Sequence, residues 1–250
     1  MDSVPKLAIQ LFSVRNTLAE NFDETVGKVA EMGFQGVELA FNYGGKSPDE
    51  LAALFARHHL EVVGIYETLG NVTNPQAPLY DYMKALKCRY VTFGISPKFF
   101  EEKPFAECSA LACRCVDVIR GRGYTPLYHA HTHEFIRKDG APSLLDRLYR
   151  TAELADLQLE ADTCWLQRAG LDVAEYLETN ASKIPMIHVK DLGTDDAVTE
   201  IGRGIVDFKS VADFAKKRSV PWLIYELDFP HFTECESARM SIDALRPLVK

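Results

Sequence analysis

The stretch LQLEADTCWLQRAGLDVAEYLETNASKIPMIHVKD, residues 157–191, decides the fold. Leu157–Asp162 and Pro185–Asp191 read as short, mainly apolar strands, and Asp172–Asn180 between them reads as a helix. Two strands joined through one helix in so short a span run parallel, because a hairpin would reverse the chain. Alternate residues of a strand share a face. Glu160 and Asp162 therefore point together at the end of the first strand, as His188 and Lys190 do at the end of the second.

The same unit recurs on both sides. Upstream, strands are predicted at Lys6–Val14, Gly36–Ala40, Leu60–Tyr66, Arg89–Gly94 and Thr125–His131. Helices are predicted between them at Asn21–Gly33, Ser47–His59, Leu79–Leu86, Pro104–Arg120 and Ser143–Ala155. Asn21 is placed to cap the first helix and Gly33 to stop it, with Val26, Val29 and Ala30 on one face. Ser47 and Glu50 have the spacing of a capping box, with Pro48 in the first turn. Downstream come a helix at Asp207–Lys217, a strand at Trp222–Asp228 and a last helix from about Glu236. Eight strands alternating with eight helices in 250 residues is the arithmetic of a single (β/α)8 barrel. A doubly wound open sheet is the alternative, but no G-x-G-x-x-G turn follows the first strand. No linker or repeat divides the chain, so one domain over residues 1–250 is expected.

Composition narrows the function. Hydrophobic residues at 47% and charged residues at 26% are ordinary for a globular chain. A net charge of −8 argues against a nucleic-acid binder, which needs a basic face. No run of 18 apolar residues occurs, so no membrane span is expected. The N-terminal MDSVPKLAIQ lacks the layout of a signal peptide, and the six cysteines show no CxxC pairing. Free thiols in a reducing cytoplasm are the expectation.

Barrel chemistry sits at the C-terminal ends of the strands. Those ends carry Gln10, Glu38, His129 with His131, Glu160 with Asp162, His188 with Lys190, and Glu226 with Asp228. Unpaired buried charges are costly, and a divalent cation that neutralises clustered carboxylates accounts for so many at one end. Asp162, His188 and Glu226 close three successive strands and are candidate ligands. The fourth is expected from YHAHTHEF, residues 128–135, which places three of the chain's seven histidines on alternate positions. A mixed nitrogen and oxygen set suits Mn, Zn, Co or Fe better than Mg or Ca. Lys190 is read as a proton donor, an anion clamp or an ion-pair partner, and GRG at 202–204 as an anion cradle or a plain turn.

Seven short motifs stand in order along the chain: IQLFSVR (9–15), GFQGVELA (33–40), YHAHTHEF (128–135), ADTCWLQRAGLD (161–172), IHVKD (187–191), IGRGIVDF (201–208) and YELD (225–228). Together they resemble the sugar phosphate isomerase/epimerase family of xylose isomerase-like barrels, over nearly the whole chain. The resemblance implies a divalent metal held by four strand-end residues, commonly Glu, Asp, His and Glu. Asp162, His188 and Glu226 match the last three, and His129 or His131 stands where the first is usually Glu. Ala130 replaces an Asn of the closest branch, and Tyr66 stands where that family has a His.

The implied activity is isomerisation or epimerisation of a sugar, keto-sugar or polyol, by proton transfer α to a carbonyl. With histidine on strand five, Glu226 is the one remaining metal-bound glutamate. Lys190, Glu134 or the second histidine must then be the other acid or base. Gln10, Glu38, Trp165 and Arg203 are the expected substrate contacts, with Arg15 on the same side. A dehydratase or lyase acting on a keto-inositol or 3-keto-glycoside is the alternative, and a non-catalytic sugar-binding barrel a further one. The expected partner is a small carbohydrate, with neither nucleic acid nor membrane, and a homodimer is left open by the sequence.

Overall fold

The structure, a computed structural model, describes residues 4–250. Eight parallel strands close into a barrel among the described residues: β1 Lys6–Gln10, β2 Gly36–Ala40, β3 Glu61–Tyr66, β4 Tyr90–Phe93, β5 Thr125–His129, β6 Gln158–Asp162, β7 Met186–Val189 and β8 Trp222–Tyr225. Neighbours in sequence are neighbours in the barrel, and β1 pairs with β8 to close it. The principal helices are α1 Phe22–Met32, α2 Pro48–Arg57, α3 Leu79–Ala85, α4 Phe105–Gly121, α5 Leu144–Tyr149, α6 Val173–Thr179, α7 Phe208–Arg218 and α8 Glu234–Leu245. The (β/α)8 expectation is met.

Local chemistry explains the boundaries. Asn21 accepts the Glu24 N–H to start α1, and Gly33, at φ 95°, ends it in the left-handed region that glycine enters without a Cβ clash. The capping box of Ser47 and Glu50 starts α2.

Strand alternation sorts the barrel into two layers. Outward residues such as Leu7, Ile9, Val37, Tyr128, Leu159, Ile187 and Leu223 pack against the helices. Inward residues Ala8, Val63, Leu127, Met186, Trp222 and Ile224 form a separate apolar plug. Above it on the same inward faces stand Gln10, Glu38, His129, Glu160, Asp162 and His188, with Glu226 one residue past β8, all buried. On β1, β5, β7 and β8 the pleat thus sets an apolar inward residue below a polar one, as in Ala8 and Gln10, Leu127 and His129, Met186 and His188, and Ile224 and Glu226.

Several segments differ from the reading of the sequence. The fifth strand stops at His129 instead of His131. His131 begins a one-turn helix, Thr132–Phe135, because the Glu134 carboxylate captures its backbone N–H at 2.7 Å. The three histidines therefore do not share a strand face. The first strand ends at Gln10 and continues as a 3-10 turn, Leu11–Val14. Asp162 ends β6 and also caps a short helix, Thr163–Arg168. A two-stranded antiparallel ribbon, Asp191–Leu192 with Val198–Thr199, follows β7. No helix among the described residues is long and apolar enough to cross a membrane. The six cysteines are all unpaired.

Candidate metal centre

His129 of β5, Asp162 of β6, His188 of β7 and Glu226 beyond β8 each offer one ligand atom, all within 4.8 Å of one another. The four come one from each of four adjacent strand ends, and each is buried. Asp162 Oδ1 accepts the backbone N–H groups of Cys164 (2.8 Å) and Trp165 (3.2 Å). Its Oδ2 is buried without a hydrogen-bond partner, although Lys190 Nζ lies 3.4 Å away in an ion pair. A buried carboxylate oxygen left so is unusual, and it belongs to one of the four residues whose ligand atoms lie together.

Beneath the set lies a layer of supporting contacts. Glu160 Oε2 sits 3.0 Å from His129 Nδ1 and 3.3 Å from His188 Nε2. Glu38 Oε2 sits 2.9 Å from His188 Nε2 and accepts the Gln10 amide at 2.8 Å. His188 Nδ1 faces Glu226 Oε2 at 2.9 Å. The Thr92 hydroxyl bridges Glu160 (3.3 Å) and Glu38 (3.5 Å). Gly64 leaves Glu38 its room, since a Cβ there would stand 3.0 Å from Glu38 Oε1. Carboxylates behind histidine ligands fix the ring orientation and raise ligand basicity.

Carboxylates outnumber basic groups around these ligands. Glu38, Glu160, Asp162, Glu226 and Asp228 face His129, His188 and one lysine. Burial pushes Glu38 up to about 8, reinforced by the Glu160 charge. Burial also raises Asp162, against the pull of Lys190. Burial opposes ionisation of Glu226 as well, but Lys190 and His188 outweigh it and hold Glu226 well below the usual carboxylate range. Burial would lower Lys190, yet Asp162, Glu226 and Asp228 hold it well above the ordinary lysine value. A divalent ion at the four ligands would neutralise this excess, so the residues present fit such an ion.

A cavity of about 150 Å³ opens onto this layer, lined by Gln10, Phe12, Phe41, Tyr66, His129, His131, Glu226 and Asp228. A larger cleft, about 520 Å³, lies on the flank between α5 and α6 and touches none of the candidate ligands.

The expected site residues separate on this geometry. His129 stands with Asp162, His188 and Glu226, whereas His131 is outside that set and lines the cavity. Gln10 reaches the cavity, but Glu38 does not, being fully buried against His188. Glu134, expected as a base, is turned from the cavity: its carboxylate takes the Tyr128 hydroxyl and the His131 N–H. Lys190 is buried among Asp228 (2.8 Å), Glu226 (2.9 Å) and Asp162. Trp165 packs 5.6 Å from the His131 ring and under Lys190 Nζ at 4.4 Å. Arg203 lies away from the cavity, against Phe232. The GRG amides are already occupied, since Gly202 and Gly204 N–H both donate to Asp191 Oδ2 at 2.9 Å.

Sequence reading passed over Phe12, Phe41 and Thr92, and left Glu160 without a role. Glu160 had a signal, its place two residues before Asp162 on the same face. Phe41 had none, because its position depends on a left-handed backbone (φ 59°) just past β2.

Solved structures similar to this chain share the barrel throughout. A sugar phosphate isomerase/epimerase from Parabacteroides distasonis is 18% identical with a TM-score of 0.79, covering 98% of this chain and 100% of that one. The 3-keto-D-glucoside 4-epimerase YcjR from E. coli is 15% identical with a TM-score of 0.73, covering 97% and 99%. An IOLI protein solved with a bound zinc atom is 17% identical with a TM-score of 0.69, covering 98% and 98%. At such identities the likeness shows the fold alone. No curated protein sequence matches the chain. The family model described as xylose isomerase-like TIM barrel matches residues 26–248, and the chain belongs to that family.

Proposed function

We propose that the protein is a divalent-metal-dependent isomerase or epimerase of a sugar, keto-sugar or polyol, working by proton transfer α to a carbonyl. The observation that carries this reading is that Glu226 belongs both to the four-residue ligand set and to the cavity wall. His129, Asp162, His188 and Glu226 would hold the ion, and the mixed donor set favours Mn, Zn, Co or Fe. The zinc of the IOLI protein is one member of that group. When bound, such an ion supplies Lewis acidity that polarises a carbonyl and its neighbouring hydroxyl and stabilises an enediolate.

The chain's own groups handle the proton. Glu226 is held ionised by Lys190 and His188 and borders the space where substrate would lie, so it is the base that removes the proton on carbon. Lys190, protonated and pinned by three carboxylates, orients Glu226 and Asp228. Burial, with the neighbouring His129 and Lys190, lowers His131 to about 3. An imidazole held neutral so firmly is a weak base, so His131 on the cavity wall is a hydrogen-bonding contact for substrate oxygens, and the proton on carbon is left to Glu226.

The test is turnover of keto-sugars by the metal-loaded protein in D₂O. One solvent deuterium should enter the product with no loss of mass as water. Glu226→Gln should slow this by about 10²–10⁴-fold, the usual worth of a positioned base. Undiminished exchange in Glu226→Gln, or a protein that binds no divalent metal, would overturn the reading. A second reading, elimination of water from a keto-inositol or 3-keto-glycoside, is favoured by the single ligand carboxylate at the opening. Its sign is a product lighter by one water.

A further inference from the structure

The walls of the cavity point to a class of substrate, on the reading just proposed. Phe12, Phe41 and Tyr66 line it, and their rings meet edge to face: Phe12 and Phe41 at 6.4 Å, Phe41 and Tyr66 at 5.2 Å. The Tyr66 ring then meets that of His129 at 5.6 Å, so the aromatic strip runs up to the candidate ligands. Phe41 is 46% exposed and adopts φ 59°, a backbone that a phenylalanine seldom accepts. Residues held in such conformations concentrate at ligand sites. Gln10, Glu226 and Asp228 supply polar contacts in the same cavity.

The groups that would welcome a phosphoryl group are engaged elsewhere. Arg15 donates to the carbonyls of Phe12 (3.0 Å) and Asp228 (2.7 Å). Lys190 is paired with Asp162, Glu226 and Asp228. Arg168 is bound to Asp196, and Arg203 leans on Phe232 beside Glu200. The amides of Gly202, Gly204 and Val206 form a nest around the Asp191 carboxylate, so the anion in that cradle is the protein's own. A dianionic ester in the cavity would meet Glu226 and Asp228 with no uncommitted cation among the described residues that line it.

The structure assigns to this site an uncharged ketose or keto-glycoside in preference to its phosphate ester, with Phe41 as the specificity-determining wall. An aromatic ring offers a sugar's C–H face an apolar surface and offers a phosphate none.

The experiment titrates metal-loaded protein with free ketopentoses, free ketohexoses and their terminal phosphate esters. Binding is read by calorimetry and by the intrinsic fluorescence of the two tryptophans, Trp165 and Trp222. The free sugars should bind at least about tenfold more tightly than the matching esters. Phe41→Gly suits φ 59° and should remain folded with unchanged metal affinity, while its affinity for the free sugar falls about five- to tenfold. Tighter binding of an ester, or unchanged sugar affinity in Phe41→Gly, overturns the assignment and leaves the isomerase reading standing. If neither free sugars nor esters bind the metal-loaded protein, the isomerase reading falls and takes the assignment with it.

Discussion

Replacing Glu160 by Gln tests whether the layer beneath the candidate ligands holds them in place. Glu160 Oε2 lies 3.0 Å from His129 Nδ1 and 3.3 Å from His188 Nε2, and neither Glu160 nor the two rings is accessible. A hydrogen bond to a charged group contributes about 1.5–3 kcal/mol and a neutral one about 1 kcal/mol. Glutamine keeps the shape but not the charge, so each histidine stands to lose about 1–2 kcal/mol. For His188 the loss is buffered, because Glu38 already sits nearer, at 2.9 Å. The loss at His129 has no such substitute, so the change concentrates there. A total of about 1.5–2.5 kcal/mol corresponds to metal binding weakened about 10- to 70-fold. Competition against a chromophoric chelator measures this without turnover, and thermal melting verifies that the variant is folded. A folded Glu160→Gln protein that binds metal within about twofold of the wild type would refute the reasoning.

Other consequences can be checked the same way. Saturating Mn²⁺ or Zn²⁺ at a hundred times Kd should stabilise the protein by about 2.7 kcal/mol, a rise in Tm of about 5–10 °C that a chelator reverses. No shift with any divalent ion would count against the site. Glu134 is raised to about 8 by burial, despite the lowering effect of Tyr128 and His131. Its folded pKa exceeds its unfolded value, so its contribution is complete below the unfolded pKa and is lost as pH rises through about 8. Denaturant unfolding from pH 5 to 7 should decline less steeply in Glu134→Gln, by on the order of 2 kcal/mol over that range, while Glu38 keeps its own share of the decline. Parallel slopes in the two proteins would contradict this. Lys190→Met should destabilise the metal-free protein by about 3–5 kcal/mol, since three buried or part-buried carboxylates lose their counter-charge. A loss below about 1 kcal/mol would show that the carboxylates are satisfied some other way.

The barrel was legible because its signal is periodic and repeated. Gly36–Ala40 matches its reading to the residue, and the Ser47 and Glu50 capping box and the Gly33 stop were readable locally. The short elements past the strand ends were not legible, for each rests on one side-chain contact. The Thr132–Phe135 turn depends on Glu134 reaching back to His131, and a period-2 pattern of histidines imitates a continuing strand. At the site, Asp162, His188 and Glu226 could be singled out because they close successive strands. The choice between His129 and His131 turned on where β5 stops, which YHAHTHEF does not encode by itself. Phe41 faces the cavity because of its backbone angle, which no composition rule announces.

Asp162 has one further consequence, through its two oxygens. Oδ1 starts the Thr163–Arg168 helix by accepting from Cys164 and Trp165, while Oδ2 is left without a hydrogen-bond partner in a residue of the candidate ligand set. A single rigid carboxylate is thus the hinge pin between the ion's seat and the segment that carries Trp165. Loading the seat should stiffen that segment, slowing exchange of the Cys164 and Trp165 amides with solvent deuterium. Lengthening the pin by one methylene, as in Asp162→Glu, would move the indole as well as the ligand. Changes in specificity through Trp165 and changes in ion affinity through residue 162 would then be inherited together.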